Sequence, residues 1–188
     1  MASSRPYLEL SLGEWLDELA HAEHVPGGGS ALGAAVAMAA SVLAMTARLS
    51  GAGGLVAQAD ALCARTRELA QRDADAYAAA LGTRERVAEL KPELRDWEIG
   101  RAFDDAAEAP LEIARAGADV AALAAELATS GDPRVHADAL AAAALGAAAA
   151  RGAAELVAAN LTAGNGDPRV AEARRLAEDA DRAAAGVD

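Results

Sequence analysis

The sequence predicts an all-α protein, a six-helix, mostly up-and-down bundle occupying residues 1–188 as one domain. Three observations carry that reading. Hydrophobic residues make up 53% of the chain but aromatics only 3%, and alanine dominates, so the β-branched and aromatic side chains that strands favour are sparse. Apolar residues recur at spacings of three and four over long runs. Gly and Pro, with Ser or Asp beside them, punctuate those runs where helices would start and stop. Small side chains let helices approach closely, so tight helix–helix packing is expected in place of a core of large residues.

Ser11-Leu12-Gly13-Glu14 has the capping-box pattern and opens a first helix over about 12–21, with Trp15, Leu16 and Leu19 on one face. Residues 22–29 form a glycine loop, and a second helix spans 30–49. Within it Ala31, Ala35, Met38, Val42, Met45 and Leu49 make a seam for a partner helix. Gly51 to Gly54 break the chain before a third helix at 55–81, which Gly82 can end. Residues 83–92 read as loop or a short helical turn. A fourth helix over 93–129 must kink at Pro110, which removes an amide and crowds the preceding turn. Gly131-Asp132-Pro133-Arg134-Val135 recurs as Gly166-Asp167-Pro168-Arg169-Val170. Each copy reads as Gly ending one helix, Asp capping the next and Pro at its first position. The fifth helix, 134–162, is apolar all round and belongs at the bundle's centre. The sixth, 168–185, is charged and peripheral.

Against 29 acidic residues stand 17 Lys and Arg, a net charge of −12 with no basic cluster. Nucleic acid and anionic membranes are therefore not expected as partners. Ala31–Ala47 is apolar but Ala-rich and too short to be expected to span a bilayer. The N-terminus lacks a basic segment followed by an apolar one, and Cys63 is the one cysteine. A cytoplasmic protein without an intrachain disulfide is expected.

Pro26-Gly27-Gly28-Gly29-Ser30 is the stretch with the most chemical promise. Free amides at a helix N-terminus can cradle a polar ligand, with Ser30 as N-cap and Gly28 or Gly29 at φ > 0. A flexible turn between two helices explains the same residues. Asp73 and Tyr77 share a helix face and can frame a pocket, while Asp73 and Asp75 point apart; taken by themselves these residues read first as solvated helix charges. Glu108 sits beside the Pro110 kink, where freed carbonyls can open a cavity. On the fifth helix Arg151 and Glu155 can pair, and Asp138 lies near the helix start, where the dipole favours a carboxylate. His136 sits on a different face from Asp138. Three scattered histidines and one cysteine make no metal-ligand set, and no Ser/His/Asp triad order is present.

Five of these stretches, taken together, resemble the cyclodeaminase/cyclohydrolase family over about residues 8–180. Pro26 to Ser30, followed by the Ala- and Gly-rich helix to Met45-Thr46-Ala47-Arg48-Leu49-Ser50, is similar to its glycine loop and first long helix. Asp73-Ala74-Asp75-Ala76-Tyr77 is similar to its Asp-x-Asp-Ala-x-Ala-Phe helix, and Glu108-Ala109-Pro110-Leu111 to its Val-Pro-Leu kink. Asp138 matches the aspartate of a Ser-Asp pair, and Asn160-Leu161 the end of an Asn-Val-x-x-Asn-Leu segment. Gly53 and Gly54 stand where the family carries a basic pair, and Gln71, Ala137 and Leu156 replace an acid, a serine and an asparagine.

The resemblance implies a homodimeric helical bundle that binds a reduced folate as substrate and needs no cofactor. It implies either loss of ammonia from 5-formiminotetrahydrofolate or hydration of 5,10-methenyltetrahydrofolate, by carboxylate acid–base catalysis. Asp73 and Asp138 are the implied catalytic pair, meeting at one pocket. Gly27, Gly28, Gly29, Ser30, Tyr77, Glu108 and Asn160 are the implied binding residues. Two other readings stay open: a diverged paralogue that cyclises or eliminates an imine from a non-folate small molecule, and a non-catalytic oligomeric scaffold.

Overall fold

The fold is all-α. The computed structural model describes residues 5–21, 25–161 and 166–186, and no strand occurs among them. The helices are α1 (Leu12–Ala20), α2 (Gly28–Leu49), α3 (Gly53–Thr66), α4 (Leu69–Arg86), α5 (Pro92–Ala106), α6 (Glu108–Ser130), α7 (His136–Asn160) and α8 (Pro168–Ala185). Short 3-10 turns precede α1 at Tyr7–Glu9 and α7 at Pro133–Val135. The six predicted rods are present, two of them broken. The third divides at Arg67 and Glu68, and the fourth at Ala107. Gly82 does not end its helix; α4 continues to Arg86, so the loop begins later than expected.

Local chemistry explains most boundaries. The Ser11 hydroxyl accepts from the Glu14 amide at 3.2 Å, and the Glu14 carboxylate accepts from the Ser11 amide at 2.7 Å. Asp132 and Asp167 each accept from the amide two residues on, at 2.9 Å, with Pro133 and Pro168 at the first helical positions. The repeated Gly-Asp-Pro-Arg motif is thus a helix-start device used twice. Pro110 has no N–H to offer the carbonyl four residues earlier, and the helix breaks between them at Ala107.

Contacts between rods fix an up-and-down order. Gly33 lies on the Ala70 backbone and Arg48 pairs with Asp60, so α2 runs antiparallel to α3 and α4. Asn160 bonds to Ala106 and His136 to Ala128, so α7 runs antiparallel to α6. Arg151 pairs with Asp181 of antiparallel α8, not with Glu155 as its spacing predicts. Ser50 accepts from the Asp132 amide at 2.9 Å, tying the end of α2 to the approach to α7.

The core lies where α2, α6 and α7 meet, around Val36, Ala40, Leu43, Ile113, Val120, Ala142 and Ala149. Where α6 crosses α7, glycine packs on glycine. A Cβ on Gly117 would stand 2.6 Å from the Gly146 carbonyl oxygen, and one on Gly146 would stand 2.8 Å from that of Gly117. The tight small-residue packing expected from composition is therefore realised at backbone contact. By length and apolarity Gly28–Leu49 and Pro133–Asn160 would suit a bilayer, but half of each apolar window is buried inside the bundle.

The face of α2 that packs inward is not the predicted seam. Gly29, Gly33, Val36, Ala40, Leu43 and Ala47 are buried. Met38, Met45 and Leu49 of the predicted seam are 51%, 42% and 57% exposed. The helix is apolar on both sides, and spacing alone does not distinguish them.

Candidate active site

At the end of the bundle where α2 begins lies a cavity of about 230 Å³. Gly27, Gly28 and Gly29 form one side, Asp73, Ala74 and Tyr77 of α4 another, and Pro110 with Leu156, Ala159 and Asn160 the rest. Three distant stretches of sequence meet here because α2, α4 and α7 are packed as neighbours.

Asp73 is the central ionisable group. It is 9% exposed, and its carboxyl is raised from 3.8 to about 6. Burial is the dominant cause, opposed by hydrogen bonds from the Ser30 hydroxyl and the Ser30 amide. The hydroxyl of fully buried Ser30 donates to Asp73 Oδ2 at 3.5 Å. A carboxylate beside the first turn of α2 also meets the positive end of the helix dipole.

Glycine makes this seat possible. A Cβ on Gly29 would fall 2.1 Å from Asp73 Oδ1, and one on Gly33 would fall 2.6 Å from the Ala70 amide nitrogen. The pair, one helical turn apart, brings α2 down onto α4 and leaves the Asp73 carboxyl in the space of a missing side chain. A Cβ on Gly28 meets nothing within 4 Å.

Several expectations about the glycine loop change. Gly28 and Gly29 are helical, and neither has positive φ; among the described residues only Gly51 and Gly166 do. Gly27 is the N-cap, and Ser30 lies inside the first turn. Its hydroxyl serves the Asp73 carboxylate rather than an orphan amide of its own helix. The loop residues Ala22, Glu23 and His24 lie outside the described residues.

Tyr77 is half-buried, its ring edge-on to Phe103 with centroids 6.1 Å apart and planes at 81°. Asn160 donates from Nδ2 to the Ala106 carbonyl at 3.3 Å. That carbonyl is the one Pro110 leaves without an intrahelical donor, so the kink and the asparagine are one device. Leu156 makes this wall apolar.

Two predicted site residues are elsewhere. Glu108 is exposed and pairs with Arg169 at 2.7 Å, clamping the α5–α6 junction to the start of α8. Asp138 is exposed in the first turn of α7, and the helix rises roughly 33 Å from there to Asn160. Within one chain Asp138 and Asp73 therefore do not share a cavity; α7 runs the length of the bundle, and its two ends cannot serve one site. Asp75 is also exposed and accepts from Gln71 Nε2 at 2.9 Å, a solvated helix charge. Sequence reasoning missed Gly33 and the walls made by Val25, Ala74 and Ala159. The Gly29/Gly33 spacing was the one available signal, since two glycines a turn apart in a helix mark a close approach.

The arrangement can hold a planar cationic or amide-like group between Asp73 and Asn160, against Tyr77, and can exchange a proton with it near neutral pH. The family model described as formiminotransferase-cyclodeaminase matches residues 11–179. Among solved structures the chain is similar to formiminotetrahydrofolate cyclodeaminase from Thermotoga maritima, with TM-score 0.78 and 22% identity. That match covers 96% of this chain and 92% of the other. No curated protein sequence matches the chain.

Proposed function

Because the chain belongs to the formiminotransferase-cyclodeaminase family, we propose that it is a one-carbon folate enzyme working by proton transfer through Asp73. The observation that carries this reading is a carboxyl at about 6, nearly buried, facing a cavity beside a helix N-terminus. A group with that affinity is populated in both forms near neutral pH, which suits a general acid–base.

In the deaminase direction, the formimino group of 5-formiminotetrahydrofolate reacts as its protonated amidinium; N10 attacks the formimino carbon and a C–N bond forms. The Asp73 carboxylate takes the N10 proton and gives it to the exocyclic nitrogen. The bond to that nitrogen then breaks, ammonia leaves and the methenyl cation remains. In the hydrolase direction water adds to the methenyl carbon, Asp73 takes one of its protons, N5 receives that proton as the C–N5 bond breaks, and the remaining hydroxyl proton leaves to solvent to give the N10-formyl product. Asn160 orients the amidine edge, and Tyr77 supports the ring plane. Neither sequence needs an oxidant, a metal or a nucleotide. The two-carboxylate scheme reduces to one carboxylate in a single chain.

The cavity's small volume favours one second reading, a compact amidine or imine substrate without the folate body. Incubating the protein with 5-formiminotetrahydrofolate, or with 5,10-methenyltetrahydrofolate, and following the methenyl chromophore separates the two. Turnover lost by 10²- to 10⁴-fold in Asp73→Asn supports the folate reading. No turnover by the wild type of either folate overturns it.

A homodimer is part of this proposal. Its support is the apolar outer face of α2, where exposed Met38 lines one hollow together with exposed Leu8 and Leu12.

A further inference from the structure

Building on the folate reading, we propose that the groove between α4 and α5 is a second subsite, taking the aryl-glutamyl arm of the substrate. Arg86 and Arg101 would hold its carboxylates.

The catalytic cavity, at about 230 Å³, has room for a bicyclic head but not for an entire folate. The α4–α5 groove is twice as large, about 460 Å³. The two adjoin along α4, where Ala74 and Tyr77 line the first and Ala76 and Ala80 the second. They also adjoin across the kink: Ala106 lines the groove, and its carbonyl is bonded to Asn160 of the cavity. The subsite requires the arm to leave the cavity past Tyr77, whose ring packs on Phe103, and to run along α4 into the groove.

The arginines of the groove are held in place without carboxylates. Arg86 Nη2 donates to Thr83 Oγ1 at 2.6 Å. The Arg101 guanidinium lies over the Trp97 ring, 5.1 Å from its centroid. Nearby, Arg84 lies over Phe103 at 4.7 Å, the ring that packs on Tyr77. Among the described residues none of these three makes an ion pair, whereas Arg48, Arg65, Arg115, Arg151 and Arg169 all do. In a chain of net charge −12, arginines fixed by a hydroxyl and by aromatic faces keep their donors for a ligand.

Glu98 and Asp105 share the lining, so the groove is not a plain anion trap. It offers acceptors for the amide N–H that joins aryl ring to glutamate, and guanidinium donors for the carboxylates beyond it. The reach is suitable. From Asp73 to Arg86 helix α4 rises roughly 20 Å, and the bond back to Thr83 draws the guanidinium to about 15 Å. An aryl-amide-glutamyl arm, with or without further γ-linked glutamates, spans that distance.

The test compares wild type, Arg86→Ala, Arg101→Ala and, as a control on the far side, Arg134→Ala. Both arginines of the groove are exposed, so their loss leaves the core untouched. Steady-state kinetics are measured on the glutamyl substrate and on the corresponding pteroyl substrate lacking glutamate. Titration calorimetry with p-aminobenzoyl-glutamate and with p-aminobenzoate reads binding without turnover. Expected are a KM raised tenfold or more for the glutamyl substrate in the groove variants, unchanged kcat, and no effect on the substrate lacking glutamate. Binding of p-aminobenzoyl-glutamate, lost in the groove variants and kept in Arg134→Ala, is expected alongside. Active wild type with groove variants that behave as wild type overturns this subsite and leaves the function standing. Wild type inactive on both substrates overturns the function, and the calorimetry then decides the groove by itself: fragment binding sustains it and no binding overturns it.

Discussion

At the scale of single residues, Asp73 and Gly29 are the pair that matters. The fold raises the Asp73 carboxyl from 3.8 to about 6, so it favours the protonated form relative to the unfolded chain. The associated stability is complete below about pH 4 and is lost as pH rises through about 6, a swing of at most about 3 kcal/mol. Asp73→Asn should flatten that fall in thermal-melt series between pH 4 and 8, and should abolish a kcat/KM limb near pH 6. An unchanged melting profile would show that burial does not control this carboxyl. The neighbouring glycines give a sharper contrast. Gly29→Ala places a methyl on Asp73 Oδ1 and should cost about 1–3 kcal/mol together with activity. Gly28→Ala meets open space in a helical conformation and should be neutral or stabilising by about 0.4–1 kcal/mol. Denaturant titration of the two variants side by side checks this.

At the scale of helices, backbone approach is the decisive variable. The α6–α7 crossing has Gly117 and Gly146 against each other's carbonyls, so Gly146→Val has no rotamer that avoids the clash. We expect a lower melting temperature and a loss of at least about 1–3 kcal/mol by urea unfolding. Leu145 of the same helix is 39% exposed, so Leu145→Ala should change stability little and serves as the control. The α5–α6 break works differently. Pro110 frees the Ala106 carbonyl, Asn160 takes it, and the cavity opens beside them. Asn160→Leu should leave the helices intact by circular dichroism and depress turnover, because it removes a polar wall and leaves that carbonyl without its donor.

At the scale of the whole molecule, α2 lies at the heart of the bundle on one side and bare on the other. Its outer face carries Met38 and Met45, and α1 adds Leu12 beside Met38. We expect light scattering to report twice the 18.9 kDa chain mass for wild type at micromolar concentration. Met38→Glu with Met45→Glu should return the monomer mass while preserving helicity, since neither side chain is in the core. A wild-type monomer would remove the two-fold proposal and leave the cavity as described.

The all-α class, the capping box at Ser11 and both Gly-Asp-Pro-Arg helix starts were legible in the sequence, because capping and backbone chemistry act within four residues. The kink at Pro110 was legible for the same reason, and the resemblance singled out Asp73 and Asn160 at their motif positions. What the chain order could not say was which apolar side of α2 faces inward, since Ala, Val and Met at spacings of three and four make two equivalent seams. Nor could it say that Asp73 would lie under Ser30 while Asp138 stood exposed at the opposite end of α7. Those outcomes depend on which helices pack together and how closely, and here the missing Cβ atoms of Gly29, Gly33, Gly117 and Gly146 set the distances. The shift of Asp73 follows from that packing, because desolvation belongs to the assembled site and to no local stretch of chain.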